Sequence, residues 1–160
     1  MHIEIPENLR KNRIALHGAD ALAWLDALPG LIERTSEQWS LNVLPPFDGL
    51  SYNYVAPAVR ANGMPVVLKI SYPGLDFGHE TAATRAFAGR MCARLLEVDD
   101  VASMTLIERV EPGEKLFVLE DDAAEVSIAA TIMRGLRCPP PDDHEFPMAS
   151  DWLNDALEPS

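Results

Sequence analysis

Cysteine is scarce in this chain. Cys92 and Cys138 stand far apart, in neither a CxxC pair nor Cys/His ligand spacing, which excludes a disulfide framework and a structural zinc site. Long apolar runs are also missing: no stretch reaches the roughly 18 apolar residues that would read as a membrane span. Met1 to Arg13 carries three basic residues but no apolar core, so it reads as neither a signal peptide nor a span. Basic residues are outnumbered, 13 Lys and Arg against 25 Asp and Glu, a net charge of -12. A field of that sign disfavours nucleic acid and anionic membrane and favours a cationic small molecule. With aromatics at 7%, Trp24, Trp39, Trp152, Phe87 and the methionines suit core and helix packing better than a base-stacking platform. A reducing, cytoplasmic location is the expectation.

What is present, 160 residues of which 48% are apolar, suits one soluble globular domain with extensions. From Ala19 to Trp39, Leu22, Leu25, Leu28, Leu31 and Ile32 recur at helical spacing, with Pro29 and Gly30 expected to bend or divide the helix. Strands are expected at Leu41 to Leu44, Ser51 to Arg60 and Met64 to Ser71. Pro45 to Gly49 forms a turn before the second strand, and Ala61-Asn62-Gly63 forms a hairpin before the third. Phe77 to Arg90 has helical spacing, with Asp76 a candidate N-cap. Arg94 to Val98 and Ser103 to Val110 supply two further strands before the turn Glu111-Pro112-Gly113. A second helical pattern lies within Leu116 to Cys138, acidic near its start and basic near its end, as the helix dipole favours. Pro139-Pro140-Pro141 ends it, and Pro147 to Leu157 is a last short helix candidate.

The chemistry centres on a lysine inside an apolar run, Val66-Val67-Leu68-Lys69-Ile70. Burying an unpaired ammonium costs several kcal/mol, about what any lone ion costs. Lys69 therefore requires an anion, and the two candidates are Glu80 and a bound phosphate. Strand alternation puts Val67 and Lys69 on one face and Val66, Leu68 and Ile70 on the other, so Val67 can contact a purine while Lys69 meets phosphate oxygens. Glu80 precedes Ala83 and Thr84 by three and four residues, which predicts that it points inward with the apolar stripe. The loop Phe47 to Asn53 would lie over the phosphates, offering backbone N–H groups and Ser51. His79 reads as a surface or capping residue, and Asp142 to Glu145, with His144, as a solvated loop.

Lys69 and Glu80, Arg94-Leu95-Leu96-Glu97-Val98-Asp99-Asp100 and Leu106-Ile107-Glu108-Arg109-Val110-Glu111-Pro112-Gly113-Glu114-Lys115-Leu116 together resemble the aminoglycoside and hydroxyurea phosphotransferases of the streptomycin 6-kinase type, over roughly Ala19 to Leu157. The resemblance implies an α+β fold: a protein-kinase-like N-terminal lobe, an antiparallel sheet of about five strands with one packed helix, and flanking helices. It divides the chain into a helical extension (1–40), a nucleotide-binding lobe (41–115) and a truncated start of a helical lobe (116–160). It implies ATP with Mg²⁺ as cofactors, Lys69 on the phosphates, Glu80 paired with it, and Glu108, Arg109 and Val110 as the hinge beside adenine. The acceptor would be an alcohol group of a cationic small molecule such as streptomycin, an antibiotic-resistance activity.

Three departures stand against full activity. The loop Pro46 to Ser51 has one glycine, and no HxDxxxxN-like catalytic loop or metal-binding Asp motif appears in the 160 residues. The expectation is a truncated or partial kinase that is inactive alone. The alternative is a non-catalytic interaction module derived from a kinase lobe, whose open face engages a partner or self-associates.

Overall fold

The computed structural model describes residues 3–142 together with Phe146, Met148, Ser150 and Leu153. Most of the Asp142 to Glu145 cluster and of the expected helix from Pro147 to Leu157, with Trp152, lies outside the described residues. The chain begins with two helices, α1 (Glu7–His17) and α2 (Ala19–Gln38). Gly18 alone separates them, at φ 56°, a left-handed conformation that glycine adopts without a Cβ penalty. Strands β1 (Leu41–Val43), β2 (Tyr54–Arg60) and β3 (Pro65–Ile70) follow. After α3 (Leu75–Phe87) come β4 (Leu95–Asp99) and β5 (Met104–Glu108). A 3₁₀ turn (Leu116–Leu119) then leads into α4 (Asp122–Leu136).

The five strands form one antiparallel sheet in the order β1-β2-β3-β5-β4, so the fold is α+β as expected. At the β2–β3 hairpin the Asn62 side chain accepts from Met64 N–H (3.0 Å). Register then sorts side chains between two faces. Tyr54, Ala56 and Ala58 of β2 stand beside Ile70, Leu68 and Val66 of β3, which in turn adjoin Met104, Leu106 and Glu108 of β5. All but Glu108 are buried, and they meet Leu9 of α1 and Trp24, Leu25, Leu28 and Ile32 of α2. The two N-terminal helices therefore roof this face. Within the core, the Thr35 hydroxyl donates to Leu31 O (2.8 Å), so its polarity is satisfied locally.

Pro29 does not divide α2, which runs unbroken from Ala19 to Gln38. A proline inside a helix costs about 3 kcal/mol. Fully burying one leucine or isoleucine contributes about 1.5–3 kcal/mol, and Leu25, Leu28 and Ile32 are all at 0% exposure. Three such anchors outweigh one missing hydrogen bond. Helix α1 was not foreseen from the apolar spacing, because its buried positions are only Leu9 and Arg13. Asp76 lies in the first turn of α3 rather than at its cap, which is Gly74. Asp121 does cap α4, its carboxylate accepting from Ala123 and Ala124 N–H (both 3.1 Å). No helix among the described residues is long and apolar enough to cross a membrane.

Tyr54, 1% exposed, links this packing to pH. Burial pushes its hydroxyl up to about 12, against an unfolded value of about 10. Between those values the unfolded chain loses a proton that the folded chain keeps. The contribution is thus complete below about pH 10 and is lost as pH rises toward 12, roughly 3 kcal/mol in all. Urea unfolding at about pH 9 and about pH 11 should show a larger stability loss for the wild type than for Tyr54→Phe. Equal losses would refute the assignment.

Candidate functional site

The opposite face of the sheet carries the candidate residues Val67 and Lys69. Cross-strand partners share a face, so the pairs Val55↔Lys69, Pro57↔Val67, Lys69↔Thr105 and Val67↔Ile107 set Lys69 in a shallow apolar surface. Val67 and Thr105 are buried there, and Val55, Pro57 and Ile107 are half-buried. Lys69 bonds directly to Glu80 of α3, the two side chains being 17% and 49% exposed. A half-exposed pair of this kind adds about 0–1 kcal/mol to stability. Its effect is geometric: the carboxylate holds a long, flexible side chain in one place, while the ammonium has three donors to offer.

Glu80 does not point inward. Because α3 starts at Leu75, its buried stripe runs through Phe77 (6% exposed) and Thr81 (3%), and Glu80 lies at the stripe's edge. The Thr81 hydroxyl donates to Phe77 O and Gly78 O (both 3.0 Å), anchoring that turn. The edge position is what leaves Glu80 able to reach Lys69 and solvent together.

The three residues expected to form a hinge, Glu108, Arg109 and Val110, lie at the end of β5 and just beyond it. Glu108 carboxylate accepts from Arg94 three times, from the backbone N–H, Nε and Nη2 (3.2 Å each), and Glu108 N–H returns a bond to Arg94 O (2.8 Å). The Arg94 side chain, then its backbone N–H, holds the Glu108 carboxyl below its ordinary value. Arg109 pairs with Glu111 (3.5 Å), and Val110 is 59% exposed. Gly113, at φ 70°, closes the following turn, where a Cβ would come within 2.8 Å of Val110 O. No substitution fits there without moving the backbone.

Loop 47–53 is positioned from α1. Asn12 Nδ2 donates to Ser51 O (3.1 Å), Arg13 Nε donates to Tyr52 O, and Arg13 Nη2 donates to Asn53 Oδ1 (3.2 Å). Ser51 is exposed, and its hydroxyl turns back to Gly49 O (3.5 Å) rather than toward Lys69. Between the loop, α1 and α3 opens a cleft of about 570 Å³ lined in part by Arg13, His17, Ser71, Asp76 and Glu80. The Ser71 hydroxyl is buried there with no partner among the described residues. Arg13 was missed by the sequence reading, although Leu9, Arg13 and His17 share one face at four-residue spacing. No three His, Cys, Asp or Glu side chains among the described residues gather into a metal site, and Glu80 is already engaged by Lys69, so these residues alone do not fit Mg²⁺.

An antiparallel five-stranded sheet with a lysine on its third strand, tied to a glutamate on the following helix, is the arrangement of a protein-kinase-like N-terminal lobe. No family model matches the sequence. The chain is 34% identical over 136 residues to a hydroxyurea phosphotransferase of Kitasatospora aureofaciens, covering 84% of this chain and 40% of that protein. It is 31% identical over 138 residues to a streptomycin 6-kinase of Streptomyces glaucescens (84% and 44%) and 28% identical over 139 residues to one of Streptomyces griseus (87% and 45%). These matches are consistent with a partial member of this phosphotransferase family, the chain spanning less than half the length of these curated relatives.

The Arg94–Glu108 pair can be followed directly. A carboxyl-detected titration should place Glu108 below the ordinary carboxylate value, and Arg94→Ala should raise it while the backbone N–H retains part of the effect. A depressed carboxylate stabilises above its unfolded value and loses that contribution as pH falls through the folded one. An unchanged midpoint in the variant would exclude Arg94 as the cause.

Proposed function

We propose that this chain supplies the nucleotide-binding part of an ATP-dependent phosphotransferase that acts on an alcohol group of a small molecule, an aminoglycoside such as streptomycin being the favoured acceptor class. The observation that carries this reading is the Lys69–Glu80 pair, set on the open sheet face and continuous through β5 with the Glu108 to Val110 turn. From Thr105, beside Lys69, to Glu108 the strand advances about 10 Å, comparable to the reach from base to phosphates in a nucleotide. In this reading Val67 packs on the purine and the backbone of Glu108, Arg109 and Val110 borders it. Lys69 meets phosphate oxygens while Glu80 fixes its direction, and loop 47–53, with Ser51, covers them. ATP is the cofactor in this reading, and the described residues alone do not hold its Mg²⁺.

Transfer requires the acceptor oxygen to bond phosphorus as the bond to the ADP oxygen breaks, with a carboxylate to orient the hydroxyl. The 160 residues hold no HxDxxxxN segment for that task. The reading therefore expects nucleotide binding by this chain and turnover only where further sequence supplies the aspartate. Calorimetric titration should give measurable ATP affinity, weakened at least about tenfold by Lys69→Ala and less by Glu80→Gln. Streptomycin phosphorylation by the chain alone, abolished by Lys69→Ala, would sink the claim that catalysis needs more sequence.

A second reading, a non-catalytic interaction module, rests on a different surface. Phe117, Val118, Val126 and Met133 are 56–69% exposed, and α4 has no buried residue. Apolar exposure of this kind favours association. Light scattering across a concentration series should show self-association if this face is an interface, and a clean monomer at all concentrations would count against it.

A further inference from the structure

Loop 47–53 is held by α1 more than by the sheet it interrupts. Phe47 N–H reaches Val55 O (3.1 Å), and pairing resumes at Tyr54. Between them, among the described residues, no backbone–backbone hydrogen bond ties residues 48–53 to the sheet. The last three loop residues instead meet Asn12 and Arg13, through Ser51 O, Tyr52 O and Asn53 Oδ1.

Arg13 is an unusual residue to spend on packing. It is 9% exposed in a chain of net charge -12, yet no carboxylate lies within ion-pair distance of it among the described residues. Desolvation by burial lowers its basicity, opposed by the fields of Tyr72, Asp76 and Tyr52. Its charge is met by ring faces, 4.9 Å from the centroid of Tyr72, 5.8 Å from Tyr52 and 5.9 Å from Trp24. His17, stacked on Tyr72 at 4.2 Å, lies 3.2 Å from Arg13 Nη1. An apolar side chain would fill this volume without a desolvation cost. What only a guanidinium does is direct several donors from one rigid plane, and two of the three used here end on loop residues.

We infer that Arg13 is a positioning residue for nucleotide phosphate binding: from α1 it fixes residues 52 and 53, beside Ser51 held by Asn12, and so sets the loop's backbone over the Lys69 side of the sheet. This deepens the nucleotide reading and rests on it. The N-terminal helices become part of the nucleotide site without touching the nucleotide, and the effect is confined to phosphates, because the base sits at the far end of β5.

The test compares wild type, Arg13→Met, Arg13→Lys and Asn12→Ala in the full chain, by amide exchange and by calorimetry with ATP and with adenosine. Arg13→Met should speed exchange at residues 48–53, leave β3 and β5 protected, and weaken ATP about tenfold, with adenosine affinity unchanged. Arg13→Lys, which keeps the charge and loses the plane, should follow Arg13→Met. Asn12→Ala, at an exposed bond that folding does not depend on, should give a smaller change of the same kind. ATP affinity unchanged in Arg13→Met and Asn12→Ala, or equal losses for ATP and adenosine, would overturn the role of Arg13 alone. A wild-type chain that binds neither molecule would overturn the nucleotide reading and the phosphate role with it.

Discussion

The antiparallel register of β2, β3 and β5 is the constraint on which the rest depends. A one-residue slip would exchange the two faces and send Lys69 into the helical roof while exposing Leu68. The pairing is secured chiefly by burial on one side: Tyr54, Ala56, Ala58, Val66, Leu68, Ile70, Met104 and Leu106 all pack with α1 and α2. The other side is thereby left to carry Lys69 and its partner Glu80. It is a division of labour between odd and even positions, in which the apolar set specifies where the polar set must stand.

The ion pairs act within that frame and do not create it. Lys69–Glu80, Arg94–Glu108 and Arg60–Glu97 (2.6 Å) each retain a partly exposed member, so each adds little to stability and much to geometry. Arg60–Glu97 links β2 to β4, Lys69–Glu80 links β3 to α3, and Arg94–Glu108 closes the end of the β4–β5 pair. In a chain with a large acidic excess, each of these cations orders a particular junction.

Much of this was legible in the chain because it rests on short-range pattern. The apolar alternation around Lys69, the Ala61 to Gly63 hairpin, the five strands in order and the Glu111 to Gly113 turn all follow from period-two spacing and turn chemistry. Element ends moved by one to three residues, as at β2, which begins at Tyr54 rather than Ser51. What was not legible depended on tertiary contact. Pro29 sits in an unbroken helix because Leu25, Leu28 and Ile32 are buried. Glu80 lies at the edge of a stripe whose phase is set by where α3 begins. Helix α1 was hidden because one of its two buried residues is an arginine, whose burial requires three aromatic rings from α2 and from segments flanking β2 and β3. Family resemblance went further than pattern alone could, and the matching relatives are phosphotransferases of the kind it named.

The bonds from Asn12 and Arg13 also have an entropic meaning. A surface loop is ordinarily free to sample many conformations, and fixing each residue costs about 1–2 kcal/mol when a ligand first demands order. Here Ser51, Tyr52 and Asn53 are restrained when the chain folds. Their ordering cost falls on folding, where the shared core offsets it, rather than on any later encounter. A molecule arriving at this loop meets a surface whose shape has been settled beforehand.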